Sequence, residues 1–192
     1  MFASAVVATM ATMAATQETF TNPILWQDFA DIDVFRVGDA FYYSASTMHY
    51  SPGAPILRSY DLVNWEFLGH SVPRLTWGDK YDLPTGSSAY VNGIWASSMR
   101  YRESNGLYYW YGCSDFATTW VYTASDPAGE WSFHGEIGKC FYDLGILIDD
   151  DDTMYLAYGS YDIEVVQLGD DGLTIVRDEV SCINFTARHF TM

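Results

Sequence analysis

The chain has 192 residues, of which 49% are hydrophobic and 17% aromatic, enough apolar material for one domain with a sizeable core. Its formal net charge is −16, from 25 acidic and 9 basic residues, which argues against nucleic acid and against a membrane surface as partners and favours a neutral ligand. Abundant Tyr and Trp suit pleated, half-buried surfaces and stacking on sugar faces, so the composition points to a β-rich chain.

In chain order, residues 1–16 carry no charge and are dominated by Ala, Val, Met and Thr, with the small pair Ala14-Ala15 at their end. The pattern predicts a secretory signal peptide over 1–16 and therefore an extracellular, secreted protein. The first basic residue is Arg36, so a small-residue tail is the competing reading. Neither this stretch nor a later one is long and apolar enough to span a bilayer.

Asp31 then stands ahead of an alternating stretch that turns at Gly38-Asp39 and returns through the pair Tyr42-Tyr43. Alternation puts Asp31 and Asp33 on one face and does not separate them as candidate functional carboxylates. Ser59-Tyr-Asp-Leu-Val-Asn-Trp-Glu66 follows as a polar turn running into a new strand. The same design recurs, because Tyr42 lies 23 residues before Trp65 and Tyr108 lies 23 residues before Trp131, both at an offset of 66. A third unit, Gly145 to Tyr158, repeats the first hairpin around the acidic run Asp149 to Asp152, and Glu164 to Leu168 supplies another strand. Repeated small antiparallel sheets predict an all-β, β-propeller fold with about three blades, and a β-sandwich is the alternative.

Among the remaining motifs, Asp149 to Asp152 lacks the alternating ligand spacing of a calcium loop and reads as a solvated hairpin tip. The histidines His49, His70, His134 and His189 are too scattered to suggest a metal centre, and no cofactor is implied. Of the three cysteines, Cys113 and Cys140 form the favoured disulfide pair if the chain is secreted, and three buried thiols are the alternative. Trp26, Tyr50, Trp77 and Trp95 suit either a sugar site or aromatic packing.

Several stretches, in this order, resemble glycoside hydrolase family 43, which contains β-xylosidases and α-L-arabinofuranosidases. They are Asp31 with its following strand, Ser51 to Glu66 ending in Asp-Leu-Val-Asn-Trp-Glu, Gly93-Ile-Trp-Ala-Ser-Ser-Met-Arg-Tyr101, and Cys140 to Asp151. Ser97 and Leu144 stand where the family usually has proline, and Ala30 and Ile32 flank Asp31 where it often has proline. The resemblance implies a five-bladed propeller fold, a polysaccharide or oligosaccharide substrate, and inverting hydrolysis at xylose or arabinofuranose units of plant cell-wall polysaccharides. It assigns Asp31 as general base, Asp143 as the carboxylate that tunes the acid, and Trp95, His49 and Tyr50 as substrate contacts.

The family's general acid is a Glu followed by Gly or Ala, and no such stretch follows Asp143. The family pattern also breaks after about Arg177, so neither Glu164 nor Glu179 is assigned as the acid. The resemblance thus implies a C-terminally truncated chain: a signal peptide over 1–16, a partial propeller catalytic domain over 17–177, and a divergent tail over 178–192. The expected activity is a hydrolase impaired by loss of the acid. The alternative is a non-catalytic remnant with weak carbohydrate binding.

Overall fold

The computed structural model describes residues 19–178 apart from 50, 84 and 87. Among the described residues, twelve strands form three four-stranded antiparallel sheets, each in sequential order. Blade 1 holds β1 (Asp33–Val37), β2 (Ala40–Ser44), β3 (Gly53–Ser59) and β4 (Trp65–Val72). Blade 2 holds β5 (Ser97–Arg102), β6 (Leu107–Ser114), β7 (Thr118–Ala124) and β8 (Ser132–Ile137). Blade 3 holds β9 (Gly145–Ile148), β10 (Met154–Tyr158), β11 (Glu164–Leu168) and β12 (Ile175–Arg177). The one helix among the described residues is a 3-10 turn at Asp79–Asp82. The first strands β1, β5 and β9 pack in succession, which brings the starts of the three blades together.

The 66-residue offset survives as strand register. Tyr42 pairs with Phe35 and Arg58, and Tyr108 pairs with Tyr101 and Ala124, so each partner is shifted by the same amount. Adjacent strand residues point to opposite faces. Tyr42 and Tyr108 therefore meet between blades 1 and 2, with ring centroids 5.5 Å apart. Tyr43 faces the outer side of blade 1 with Leu57, and Tyr109 faces blade 3 with Phe141 and Leu156. An aromatic doublet thus supplies one ring to each face of a blade: in blade 2 both rings meet another sheet, and in blade 1 the second ring packs with Leu25 and Phe29 ahead of β1.

Polar links fasten the same interfaces. Asp33 Oδ2 accepts hydrogen bonds from Ser98 Oγ (2.7 Å), the Met99 amide (2.9 Å) and Arg100 Nη1 (2.7 Å), tying β1 to β5. Ser98 Oγ in turn accepts from the Ile146 amide, extending the chain of contacts to β9. Arg102, 4% exposed, grips both carboxylate oxygens of Asp152 through Nε and donates to the Asp170 carbonyl through Nη1. The acidic run is therefore more than the solvated tip expected from sequence, because one of its members pairs with a buried guanidinium of the neighbouring blade. Cys113 and Cys140 form a disulfide, with Cα atoms 5.2 Å apart, that joins β6 to the segment leading into β9.

Candidate active site

Asp31 lies two residues before β1 and Asp143 two residues before β9, so the two carboxylates occupy matching places on blades 1 and 3. Both have left-handed backbone, at φ 54° and 52°, a conformation that Asp tolerates better than most side chains. That turn takes Asp31 out of the strand pleat, so the alternation linking it to Asp33 does not extend across it. Asp31 and Asp143 line one cleft of about 340 Å³, together with Asp33, Ala96, Ser98 and Leu144.

The three aspartates are held differently. Ser46 Oγ donates to Asp31 Oδ2 at 2.7 Å, and the Ser46 amide donates to the Ala30 carbonyl at 3.0 Å, which fixes both the carboxylate and its backbone. Asp33 is committed to the ion pair with Arg100 and to the β1–β5 seam. Asp143 is exposed, yet water lost from around its carboxyl, followed by the charge of Asp31, raises its pKa above the ordinary carboxylate value.

Beside Asp143 opens a recess of about 190 Å³ whose aromatic wall is Trp95, Phe116 and Tyr142. Phe116 meets Trp95 edge-on at 5.0 Å and stacks on Tyr142 at 5.6 Å. Phe116 and Tyr142 were not singled out in the sequence, where Phe116 sits in a short hairpin turn. The Cys113–Cys140 pairing was the available signal, since it brings residues 113–116 against 140–143. Trp95 Nε1 donates to the Val91 carbonyl at 3.0 Å. The Val91 amide donates to His49 Nδ1 at 3.1 Å, and His49 stacks on Tyr90 at 4.7 Å. His49 lines a separate groove on the Asp31 side.

The other expected residues fall elsewhere. Trp26 is 86% exposed, and Trp77 stacks on Trp120 at 4.7 Å away from the cleft. Tyr50, Cys182, His189, Glu179 and the leader 1–16 lie outside the described residues, as does the tail beyond Asp178. Among the described residues no group of three or more His, Cys, Asp or Glu is arranged to hold a metal ion, and no helix is long and apolar enough to cross a membrane.

Residues 20–188 match the family model of Glycosyl hydrolases family 43. The chain belongs to that family. Within family 43 it is 40% identical over 114 residues to a beta-xylosidase of Formosa agariphila, covering 59% of this chain and 19% of that protein. It is 34% identical over 152 residues to a non-reducing end alpha-L-arabinofuranosidase of Bacteroides ovatus, covering 77% of this chain and 28% of the relative. A solved family 43 glycoside hydrolase, engineered at its active site to display both endo-xylanase and exo-arabinofuranosidase activity, is 52% identical with a TM-score of 0.79. That alignment covers 84% of this chain and 33% of the engineered enzyme. The chain thus spans about a fifth to a third of the length of these proteins. The three sheets are blades of the five-bladed β-propeller type found in the family's solved structures.

Proposed function

We propose that the cleft is the base-and-modulator part of an inverting glycoside hydrolase site for xylose or arabinofuranose units of plant cell-wall polysaccharides. The observation that carries this reading is the convergence of Asp31 and Asp143, from blades 1 and 3, on one cleft in which lost hydration and then the charge of Asp31 raise the proton affinity of Asp143. Inverting hydrolysis needs one carboxylate to deprotonate water on the face opposite the leaving group. Asp31 takes that role, with Ser46 engaging Oδ2 and the second oxygen receiving the proton. Asp143 sets the local field for the acid, since a nearby negative charge raises the pKa of a carboxyl group. Trp95, His49 and Tyr50 are the proposed sugar contacts, and the names of the relatives support both pentoses as substrates. Secretion through the leader 1–16 accords with the Cys113–Cys140 disulfide, a bond favoured in oxidising compartments.

A second reading, sugar binding without turnover, is favoured by the carboxylates around the cleft. Among the described residues, Asp33 and Asp115 are the other acidic groups lining the cleft and recess, and each is in an ion pair, with Arg100 at 2.7 Å and Lys80 at 2.6 Å. Base catalysis without leaving-group protonation forfeits about a hundredfold or more in rate. The test is hydrolysis of an aryl β-xyloside and an aryl α-L-arabinofuranoside by the 192-residue chain, beside Asp31→Asn and a circular dichroism melt of each. Slow turnover abolished by the substitution supports the first reading. A cooperative melt with saturable sugar binding and no turnover supports the second.

A further inference from the structure

We propose that the Cys113–Cys140 disulfide is a redox-sensitive latch: a small dithiol opens it in the folded chain and frees the aromatic wall of the recess, while the sheets and the segment bearing Asp143 stay in place. The bond lies where a reductant reaches it, because both cysteines are only part-buried and Cys113 itself lines the recess of about 190 Å³. Structural disulfides resist reduction, whereas exposed ones belong to the labile, regulatory class. One thiolate of the dithiol attacks Cys113 Sγ, breaks the sulfur–sulfur bond and releases Cys140 as a thiolate. The second thiol then displaces Cys113 from the mixed disulfide and closes the reagent into a cyclic disulfide. The reagent is oxidised by two electrons, and its two protons end on the two cysteines.

The element that the bond holds is under strain. Between β6 and β7 the Ala117 amide donates to the Ser114 carbonyl at 3.2 Å, closing a tight turn in which Asp115 and Phe116 both have left-handed backbone, at φ 55° and 54°. Hairpin turns of this shape favour Asn-Gly, and a side chain such as Phe in left-handed backbone costs about 1–2 kcal/mol. Strain of this kind persists only where the surroundings over-determine it. Here the surroundings are the contacts of Phe116 with Trp95 and Tyr142, the Tyr81–Ser114 hydroxyl bond, a Lys80–Asp115 ion pair partly exposed at both ends, and the disulfide at the foot of the turn. A partly exposed ion pair contributes about 1 kcal/mol or less, so the covalent tie is the firmest of these anchors.

The release is one-sided, because the segment across the bond is fastened without it. The Lys139 carbonyl accepts from the Thr119 amide at 3.1 Å and from Thr119 Oγ1 at 2.9 Å, and the amide of fully buried Phe141 donates to Thr119 Oγ1 at 2.9 Å. Just ahead of Asp143, the Tyr142 carbonyl accepts from the Gly159 amide at 2.9 Å. Thr119 pairs with Cys113 across the β6–β7 ladder, so the end of the hairpin is held to this segment at two points side by side. Opening the bond leaves Thr119 as the pivot, about which the turn relaxes and carries Phe116 off Trp95 and Tyr142. The recess loses part of its wall while Asp143 keeps its place, and the consequence, weaker sugar binding, rests on the reading of the adjoining cleft as a sugar site.

The test compares the 192-residue chain before and after dithiothreitol at neutral pH, beside a Cys113→Ser, Cys140→Ser double variant that has no latch to open. Free thiols, circular dichroism melts and amide hydrogen exchange are followed together. The latch predicts two new thiols per chain with a melt that stays cooperative, exchange of the Ala117 amide about tenfold or more faster, and an unchanged Phe141 amide. The double variant should exchange fast at Ala117 with or without the dithiol. Thiols that appear only on global unfolding, an Ala117 amide indifferent to reduction, or equal acceleration at Phe141 each overturn the latch, the last by making the bond a staple of the whole domain. Xylose is then titrated into both states. Several-fold weaker binding by the reduced chain supports the latch, and equal binding overturns it as a control on the site. Absence of binding in either state sinks the sugar reading and leaves the exchange result to decide the latch.

Discussion

Replacing Asp33 by alanine distinguishes a carboxylate that holds blades together from one placed for chemistry. Asp33 is 16% exposed at its side chain, and its Oδ2 accepts from Ser98, Met99 and Arg100. Its removal strands the amide of fully buried Met99, a loss of about 1–3 kcal/mol. It also leaves the Arg100 guanidinium without its partner, and breaking a buried pair costs about 3–5 kcal/mol. That figure is an upper bound here, because Arg100 is 29% exposed and keeps its bond to the Met99 carbonyl, so it partly rehydrates. The two costs overlap, and Asp33→Ala is expected to lose about 3 kcal/mol. Asp33→Asn keeps an oxygen for the Ser98 and Met99 donors and should lose about 1 kcal/mol. Asp31→Asn, at an exposed position where the substitute still accepts from Ser46, should stay within about 0.5 kcal/mol of wild type. Urea unfolding followed by tryptophan fluorescence and far-ultraviolet circular dichroism measures all three. Equal losses at positions 31 and 33, or a loss below about 1 kcal/mol for Asp33→Ala, would refute the division of roles.

Three further outcomes follow from the same contacts. Arg102→Ala should cost about 2 kcal/mol at pH 7, since the ion pair with Asp152 and the part-buried bond to the Asp170 carbonyl are both lost, while Asp152 rehydrates. The Arg102 bond, then Ser104, holds the Asp152 pKa below its ordinary value, so the share of this stabilisation that comes from the ion pair is present above about pH 4 and fades as pH falls through the folded value. Melts at neutral and strongly acidic pH should therefore show the gap between wild type and Arg102→Ala narrowing on acidification. Changing both Cys113 and Cys140 to serine should cost about 3.5 kcal/mol by chain entropy across their 27-residue separation, and should weaken sugar binding by freeing the Phe116 turn from Tyr142. Asp143→Asn should raise the melting temperature at neutral pH. Its raised folded pKa favours folding below the ordinary carboxylate range and opposes it as pH rises through the folded value, so the gain should vanish in acid.

How much was legible in the sequence follows from how local each signal is. The tyrosine doublets foretold the blades because a strand covered on both sides must present an apolar ring on each face, and two adjacent residues satisfy that requirement. Blade 3 lacks a doublet and was recognised from its β9–β10 hairpin. Its last strand, Ile175–Arg177, is only three residues long and gives no periodicity to read. Asp31 and Asp143 stood out because each precedes an apolar strand in a recognisable stretch. The separation of Asp31 from Asp33 was not legible, because it depends on one left-handed residue and on Arg100, 67 positions away. The pairing of Asp152 with Arg102 was hidden for the same reason, since nothing local distinguishes Asp152 from Asp151.

The most direct test of the central claim is the leaving-group dependence of turnover by the folded 192-residue chain. Glycosides of a strongly acidic phenol need little proton donation on departure, whereas glycosides of a simple alcohol need a great deal. A cleft with Asp31 as base should release the acidic phenol about a hundredfold or more faster than the alcohol, and Asp31→Asn should abolish the release. Release that survives Asp31→Asn, or the absence of release from a folded chain that binds the sugar, would contradict the assignment of Asp31 as the base.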